Sequence, residues 1–386
     1  MTTNRLRVLA DRGQSVWQDN ITRGQLEAGG LKKLIDEDGL SGVTTNPSIF
    51  QKAIGGSADY DATIAQLTRE GKDVATIVDT LIIEDVRSAA DVLRPVWERT
   101  NSQDGFVSIE VGANLSRDTR GTVAEAHRLW DAVRRPNVMV KIPGTVEGVP
   151  AIKQCLADGL NINITLLFSI AHYEAVAQAF LEALEARVQR GQPIDHLASV
   201  ASFFVSRVDT IVDHAVDAKL KSTSDPATRD RLNALVGTLA VANARLAYAR
   251  FEELFGPSNQ RFQQLAAKGA QAQRPLWAST SMKNPQRRDV LYVEELIGPL
   301  TVDTMPPATI DAFREHGEVR GDTAREDQAG ARKTIQALAA VGIDLDDLTT
   351  QLEEQGITQF ADAYQTLLAE ATAKAEALRV GAAPPH

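Results

Sequence analysis

Short apolar or alternating segments recur along the chain, separated by longer stretches of helical period, and this alternation predicts βα units around a parallel sheet. Eight strand segments are read: SVWQD (15–19), GVTTN (42–46), FVSIEVG (106–112), NVMVKI (137–142), NINITLLF (161–168), LASVASFF (197–204), PLWAST (275–280) and LTVDTM (300–305). Between them, residues 74–98 space Ile77, Val78, Leu81, Ile82, Val86, Ala89, Ala90 and Leu93 at helical intervals, and residues 169–190 do likewise. The insertions after the second and sixth strands are each long enough for two helices. Residues 323–378, rich in Ala, Glu, Gln and Leu, read as further helices packed outside. No Pro/Gly/Ser-rich linker marks a second domain, and no repeat of solenoid period occurs. The expectation is an α/β fold: a single (β/α)8 TIM barrel spanning 1–386, with 323–380 as extra C-terminal helices, rather than an open doubly wound sheet.

Side chains alternate across a strand, so residues two apart share a face. In the third strand Ser108 and Glu110 oppose Val107, Ile109 and Val111. In the fourth, Met139 and Lys141 oppose Val138, Val140 and Ile142; in the fifth, Asn161, Asn163 and Thr165 oppose Ile162, Ile164 and Leu166. The apolar faces must meet the outer helices, which points Glu110, Lys141, Asn163 and Thr165 into the barrel. Asp19, Asn46 and Ser202 fall near the carboxyl ends of their strands, where barrel enzymes build their sites. A satisfied polar core with a Lys–Glu ion pair is the alternative. Each buried polar group costs about 1–3 kcal/mol if left unpaired, so polar residues from five strands at one end favour a site.

Composition narrows the chemistry. The chain of 386 residues is 43% hydrophobic, 24% charged and 5% aromatic, as in ordinary globular proteins. A formal net charge of −10 and a pI near 5.2 argue against nucleic-acid or anionic-membrane partners, so an anionic substrate must be held by a local cluster of cations. Cys155 is the only cysteine, no signal-peptide hydrophobic region opens the sequence and no apolar run suits a membrane span, so a cytoplasmic location is expected. Cys155 itself reads as a small buried hydrophobe in a helix. Trp17 reads as packing.

A lysine inside a strand is the feature that asks for an explanation. Burial disfavours the ammonium and releases an amine able to attack a carbonyl; moving its pKa from ~10.4 to the ~7–8 that suits catalysis takes about 3–5 kcal/mol. The product is a Schiff base, an electron sink for breaking the adjacent carbon–carbon bond. Glu110 and Asp19 are available to move protons, Thr165 and Glu110 to hold a water, and Asn46 and Asn163 to bind hydroxyls. Lys283, in a Ser/Thr/Asn-rich loop after the seventh strand, suits phosphate recognition better than covalent chemistry, with Arg207 and Ser279 on neighbouring loops; solvated surface cations are the alternative. His127, His172, His196, His214, His316 and His386 form no metal-ligand spacing, and neither GxGxxG nor a P-loop occurs.

Six ordered motifs, GVTTNPSIF (42–50), VSIEV (107–111), VMVKIPGT (138–145), NINITLLFS (161–169), SFFVSRVD (202–209) and LWASTSMKNP (276–285), together resemble the transaldolase family in its longer bacterial form, from about residue 10 to the end. The resemblance implies Lys141 as the Schiff-base lysine, Asp19 as acid/base for carbon–carbon cleavage, and Glu110 with Thr165 handling the catalytic water. Asn46, Asn163 and Ser202 would bind the dihydroxyacetone moiety, Thr44 and Phe204 would line the substrate, and Arg207, Ser279 and Lys283 would hold the phosphate. It implies transfer of a three-carbon unit from sedoheptulose 7-phosphate to glyceraldehyde 3-phosphate in the pentose phosphate pathway, without metal or organic cofactor, by a monomer or homodimer. Shorter family members carry a Ser-x-Arg clasp after the seventh strand where this chain has ASTSMKN, leaving Lys283 as the nearest cation. Fructose 6-phosphate aldolases of the family use the same lysine but are much shorter. A non-catalytic sugar-phosphate-binding barrel would bind without an imine, and a metal-dependent aldolase or isomerase would need clustered His and carboxylate ligands.

Overall fold

The computed structural model describes residues 4–381, and the expected eight strands close into a parallel barrel in chain order. They are β1 (Gln14–Asp19), β2 (Gly42–Thr44), β3 (Phe106–Glu110), β4 (Val138–Pro143), β5 (Ile162–Leu167), β6 (Ser199–Phe204), β7 (Arg274–Ala278) and β8 (Thr301–Met305). β8 pairs with β1 through Gln14↔Thr301 to Gln18↔Met305, leaving no sheet edge. The (β/α)8 barrel read from the alternation of periods is therefore the fold.

The helices follow from the same patterning. Asp73 accepts a hydrogen bond from the Thr76 N–H and starts the helix Val74–Arg99, whose Ile77, Val78, Leu81, Val86, Ala89, Ala90 and Leu93 are buried. Ile82 is partly buried and packs against the same core, and Ile83 is buried as well. The second expected helix is Ile170–Gln189, capped by Ser169. The insertions hold more than two helices each: Pro47–Gly56, Asp61–Arg69 and Val74–Arg99 after β2, and Ser206–Ser222, Pro226–Asn233, Leu239–Phe255 and Gln260–Ala266 after β6. Asn46 and Asp225 each cap one of these helices and are followed by a proline at its first position, which sets a helix start inside what length alone would read as one longer helix.

Two expectations about tertiary placement need correcting. The tail is helical, as Gln328–Ala340 and a 37-residue helix Leu345–Gly381, but the latter is not packed outside. It crosses the carboxyl end of the barrel, with buried Leu352, Gly356, Phe360, Leu367, Ala371 and Ala375 forming its inward stripe. A Cβ on Gly356 would come within 2.7 Å of Leu166, so glycine there lets the helix approach the barrel rim. Leu166 is the second correction. Strict alternation sends it outward, but the β5–β6 register shifts between Ile164 and Leu167 and Leu166 has φ 60°, which turns its side chain to meet the terminal helix.

Beneath the mouth, Trp17 packs as expected, its ring against Gly42 and its Nε1 donating to Asp104 at 2.7 Å. Cys155 is buried in the helix Gly148–Asp158, and burial pushes its thiol up to about 12, leaving it unreactive. Five histidines lie on or between outer helices, such as His127 against Asp158 at 3.0 Å and His316 against Asp289 at 2.8 Å; His386 lies outside the described residues. Among the described residues no helix is long and apolar enough to cross a membrane, and no His, Cys, Asp and Glu cluster suits a metal.

One strand residue carries a stability prediction. Asp303 in β8 faces outward, because its neighbour Thr304 faces the barrel interior, and it is fully buried with a single hydrogen bond, from Thr280 Oγ1 at 2.8 Å. Burial pushes its carboxyl up to about 7. An unfolded aspartate titrates near ~3.9, below the folded value. The protonated form therefore stabilises the fold fully below that unfolded value, and the contribution is lost as pH rises through about 7. Asp303→Asn keeps the neutral shape and can still accept from Thr280. Its Tm advantage over the native chain, followed by circular dichroism, is expected to grow from about pH 4 to about pH 7 and then level off. A Tm difference independent of pH would mean that Asp303 does not titrate in this window.

Candidate active site

Parallel strands ending together at the mouth put their last inward side chains on a common floor. There Asp19 (β1), Thr44 (β2), Lys141 (β4), Thr165 (β5), Ser202 and Phe204 (β6), Ala278 (β7) and Thr304 (β8) line a cavity of about 70 Å³. Asn46, Arg207, Ser279 and Phe360 complete the wall. Nine of the residues singled out from the sequence thus share one cavity. Glu110 joins them through Lys141, and Asn163 lies underneath.

Lys141 reaches the mouth because β4 is continuous with the barrel wall and buried along its whole length. Its Nζ donates to the Thr45 carbonyl at 3.0 Å and stands 3.2 Å from Glu110 Oε2, both side chains only 6% exposed. The Glu110 contact is an ion contact rather than an aligned hydrogen bond, since Oε2 has no hydrogen-bond donor. Burial raises the Glu110 carboxyl above the usual carboxylate range; the neighbouring Lys141 opposes this, and the charge of Asp19 adds to it. Thr165 Oγ1 is likewise buried without a partner, so two unsatisfied oxygen groups flank the lysine.

Asp19 is fixed by a hydroxyl chain. Thr44 Oγ1 donates to Asp19 Oδ1 at 2.7 Å, so in the 2.6 Å contact between Thr44 and Thr304 the Thr304 hydroxyl is the donor. Burial raises the Asp19 carboxyl, against the pull of Lys141, the Thr44 hydrogen bond, Arg207 and Lys283. A carboxylate pushed upward is a better proton acceptor near neutrality.

The polar layer below is fully spoken for. Asn163 Nδ2 donates to Ser108 Oγ at 2.9 Å and its Oδ1 accepts from Ser202 Oγ at 2.6 Å, which orients Ser202 toward the cavity and keeps Asn163 beneath it. Asn46 ends β2's connection and caps the helix Pro47–Gly56, its Oδ1 accepting from the Ile49 N–H at 3.0 Å. Its amide nitrogen is left for whatever occupies the cavity.

On the far wall Arg207 lies over the Phe204 ring at 5.2 Å, and Phe204 packs on Phe168 at 5.1 Å. Ser279, on the cavity wall, holds a positive φ of 59°, a strained conformation for serine. Lys283 is outside the cavity: it is exposed at the rim, donates to Ser281 Oγ at 2.7 Å and also borders a separate depression with Asp209, Asp213 and Arg287. Burial and the charges of Arg207 and Lys52 push its ammonium down while Asp19 opposes this, so three cations from separate elements gather with Asp19 as the carboxylate that acts on them. Such a grouping favours an anion.

Sequence reasoning missed Phe360, Thr304 and Lys52. Thr304 was legible in principle, as an inward residue at the end of β8. The apolar stripe of the terminal helix marks Phe360 as buried but not against what.

A family model described as Transaldolase/Fructose-6-phosphate aldolase matches residues 16–371. A protein named Transaldolase from Acidothermus cellulolyticus is 48% identical over 377 residues, covering 98% of each chain. Proteins of the same name from Trichodesmium erythraeum and Mycobacterium leprae are 43% and 47% identical, covering 95% of this chain and 97% and 95% of their own.

Proposed function

The chain belongs to the transaldolase/fructose-6-phosphate aldolase family, and on that premise we propose that its barrel mouth transfers dihydroxyacetone between sugar phosphates through an imine on Lys141. It is an enzyme, a transferase, and its reaction is that of a transaldolase: sedoheptulose 7-phosphate and glyceraldehyde 3-phosphate give erythrose 4-phosphate and fructose 6-phosphate. Among the family's activities, transfer rather than simple aldol cleavage is favoured by near-complete coverage of relatives named Transaldolase.

The observation that carries the assignment of roles is a buried lysine in contact with a carboxylate, opening onto a cavity that a second carboxylate shares. Glu110, 3.2 Å from Nζ and with raised proton affinity, takes the ammonium proton. The free amine adds to the C2 carbonyl of the donor ketose. Glu110 then returns a proton to the carbinolamine hydroxyl, which leaves as water beside Thr165. Asp19 removes the C4 hydroxyl proton, the C3–C4 bond breaks, and its electrons pass into the iminium to give an enamine while the aldose departs. The enamine then attacks the carbonyl carbon of the acceptor aldehyde as Asp19 gives the proton to its oxygen. Water returns through Glu110 to free the new ketose. Asn46 and Ser202 hold the hydroxyls of the three-carbon unit, and Arg207, Ser279 and Lys283 hold the phosphate.

The test is intact-protein and peptide mass spectrometry after fructose 6-phosphate and sodium borohydride. A reduced three-carbon adduct on Lys141 is expected. An unmodified protein that still binds the sugar phosphate would make the barrel a binder and Lys141 a structural partner of Glu110.

A further inference from the structure

The mouth cavity is built from barrel strands and the segments that directly follow them, Arg207 coming from the first turn of the helix after β6, with one exception: Phe360 enters from the terminal helix, far along the chain. Its ring lies 5.5 Å from Lys141 Nζ and is 5% exposed. The rest of its stripe serves to pack one element on another; Phe360 alone meets an ammonium.

The ring is also held there. On the N-terminal side Glu353 lies 3.1 Å from His172, Glu354 pairs with Arg117, and Gly356 sits against Leu166. On the other side Glu370 accepts from Gln51 Nε2 at 2.7 Å and Lys374 bonds Asp61 at 3.1 Å. Contacts before and after it keep the residue from swinging clear.

Water has to be rationed at this lysine. One water leaves when the donor imine forms and one is consumed when the product ketose is freed, and between these steps the three-carbon unit stays on Lys141 after its aldose has gone. At that point protonation of the enamine carbon gives back an iminium. Water can then add to C2, the C–N bond breaks, the nitrogen keeps the proton, and free dihydroxyacetone is lost. Two unpartnered oxygens able to seat a water lie at hand, Thr165 Oγ1 on the cavity wall and Glu110 Oε2 at 3.2 Å from Nζ. An apolar ring covers it from above, in a space that leaves room for only a few water molecules.

Resting on the imine mechanism above, we infer that Phe360 is a specificity-determining residue, capping the Lys141 imine so that the bound three-carbon unit is transferred to an aldehyde instead of being hydrolysed. It takes no proton and forms no bond. Its contribution is exclusion and fit, so apolar bulk at this position sets the ratio of hydrolysis to transfer.

The experiment is a graded series, Phe360→Leu, Phe360→Val and Phe360→Ala, in the full chain. Free dihydroxyacetone released from fructose 6-phosphate without an acceptor is measured against transfer to erythrose 4-phosphate, and the borohydride adduct on Lys141 is read alongside. The hydrolysis-to-transfer ratio is expected to rise in that order, by about tenfold or more at alanine, with the adduct still formed. A ratio that does not follow side-chain size, with the adduct intact, overturns the role of Phe360. Should alanine fail to fold, leucine and valine still supply the order. Absence of the adduct in the native chain would instead sink the imine mechanism and leave this ratio without meaning, so the two failures are told apart.

Discussion

Replacing Lys141 by Met is expected to lower turnover by on the order of 10⁴-fold or more, the scale of loss when a covalent nucleophile is removed. Methionine fills the same space in β4 without an amine, so the barrel wall remains closed while no imine can form. The borohydride adduct should vanish with the activity. Loss of the partner leaves Glu110 buried without its cation, and its raised carboxyl rises further. A carboxylate whose folded pKa lies above the unfolded one gives stability that is present at low pH and lost as pH rises through the folded value. The variant's Tm should therefore fall short of the native value by more at pH 8 than at pH 5. Turnover at the native rate in a folded Lys141→Met protein would remove the lysine from the mechanism.

For Asp19→Asn the expected loss of turnover is roughly 10²–10⁴-fold, the range of general acid–base catalysis. Its signature separates it from Lys141→Met. Imine formation does not need Asp19, so borohydride should trap the uncleaved six-carbon sugar phosphate on Lys141 rather than the three-carbon fragment. The fold should gain at the same time. Burial raises Asp19, so carrying its charge at neutral pH costs stability that asparagine does not pay, while asparagine can still accept from Thr44. A higher Tm than native at pH 7 is expected, converging below the unfolded aspartate pKa of ~3.9. A three-carbon adduct formed at the native rate in Asp19→Asn would assign cleavage to another base.

Most of the barrel was legible because a strand's period of two is local. Glu110 and Lys141 are adjacent in register across β3 and β4, and each strand's own alternation already put both on the inner face. Asn163 shows the limit of that logic. Its face was read correctly, but Ser108 and Ser202 on two other strands occupy its amide and set it below the cavity. At Leu166 the local rule failed, because the register shift and positive φ are settled by pairing with β6 and by the terminal helix, neither of which β5 encodes.

The sequence by itself determined eight βα units, the inward lysine and carboxylates, and a local cationic site in an acidic chain, because period, alternation and charge are properties of neighbouring residues. Only the tertiary structure decided that the terminal helix crosses the mouth, that Phe360 covers Lys141 and that Lys52 stands with Arg207 and Lys283. An amphipathic stripe states that a face must be buried, but any apolar surface of matching shape satisfies it. Which surface it meets depends on the closed barrel as a whole.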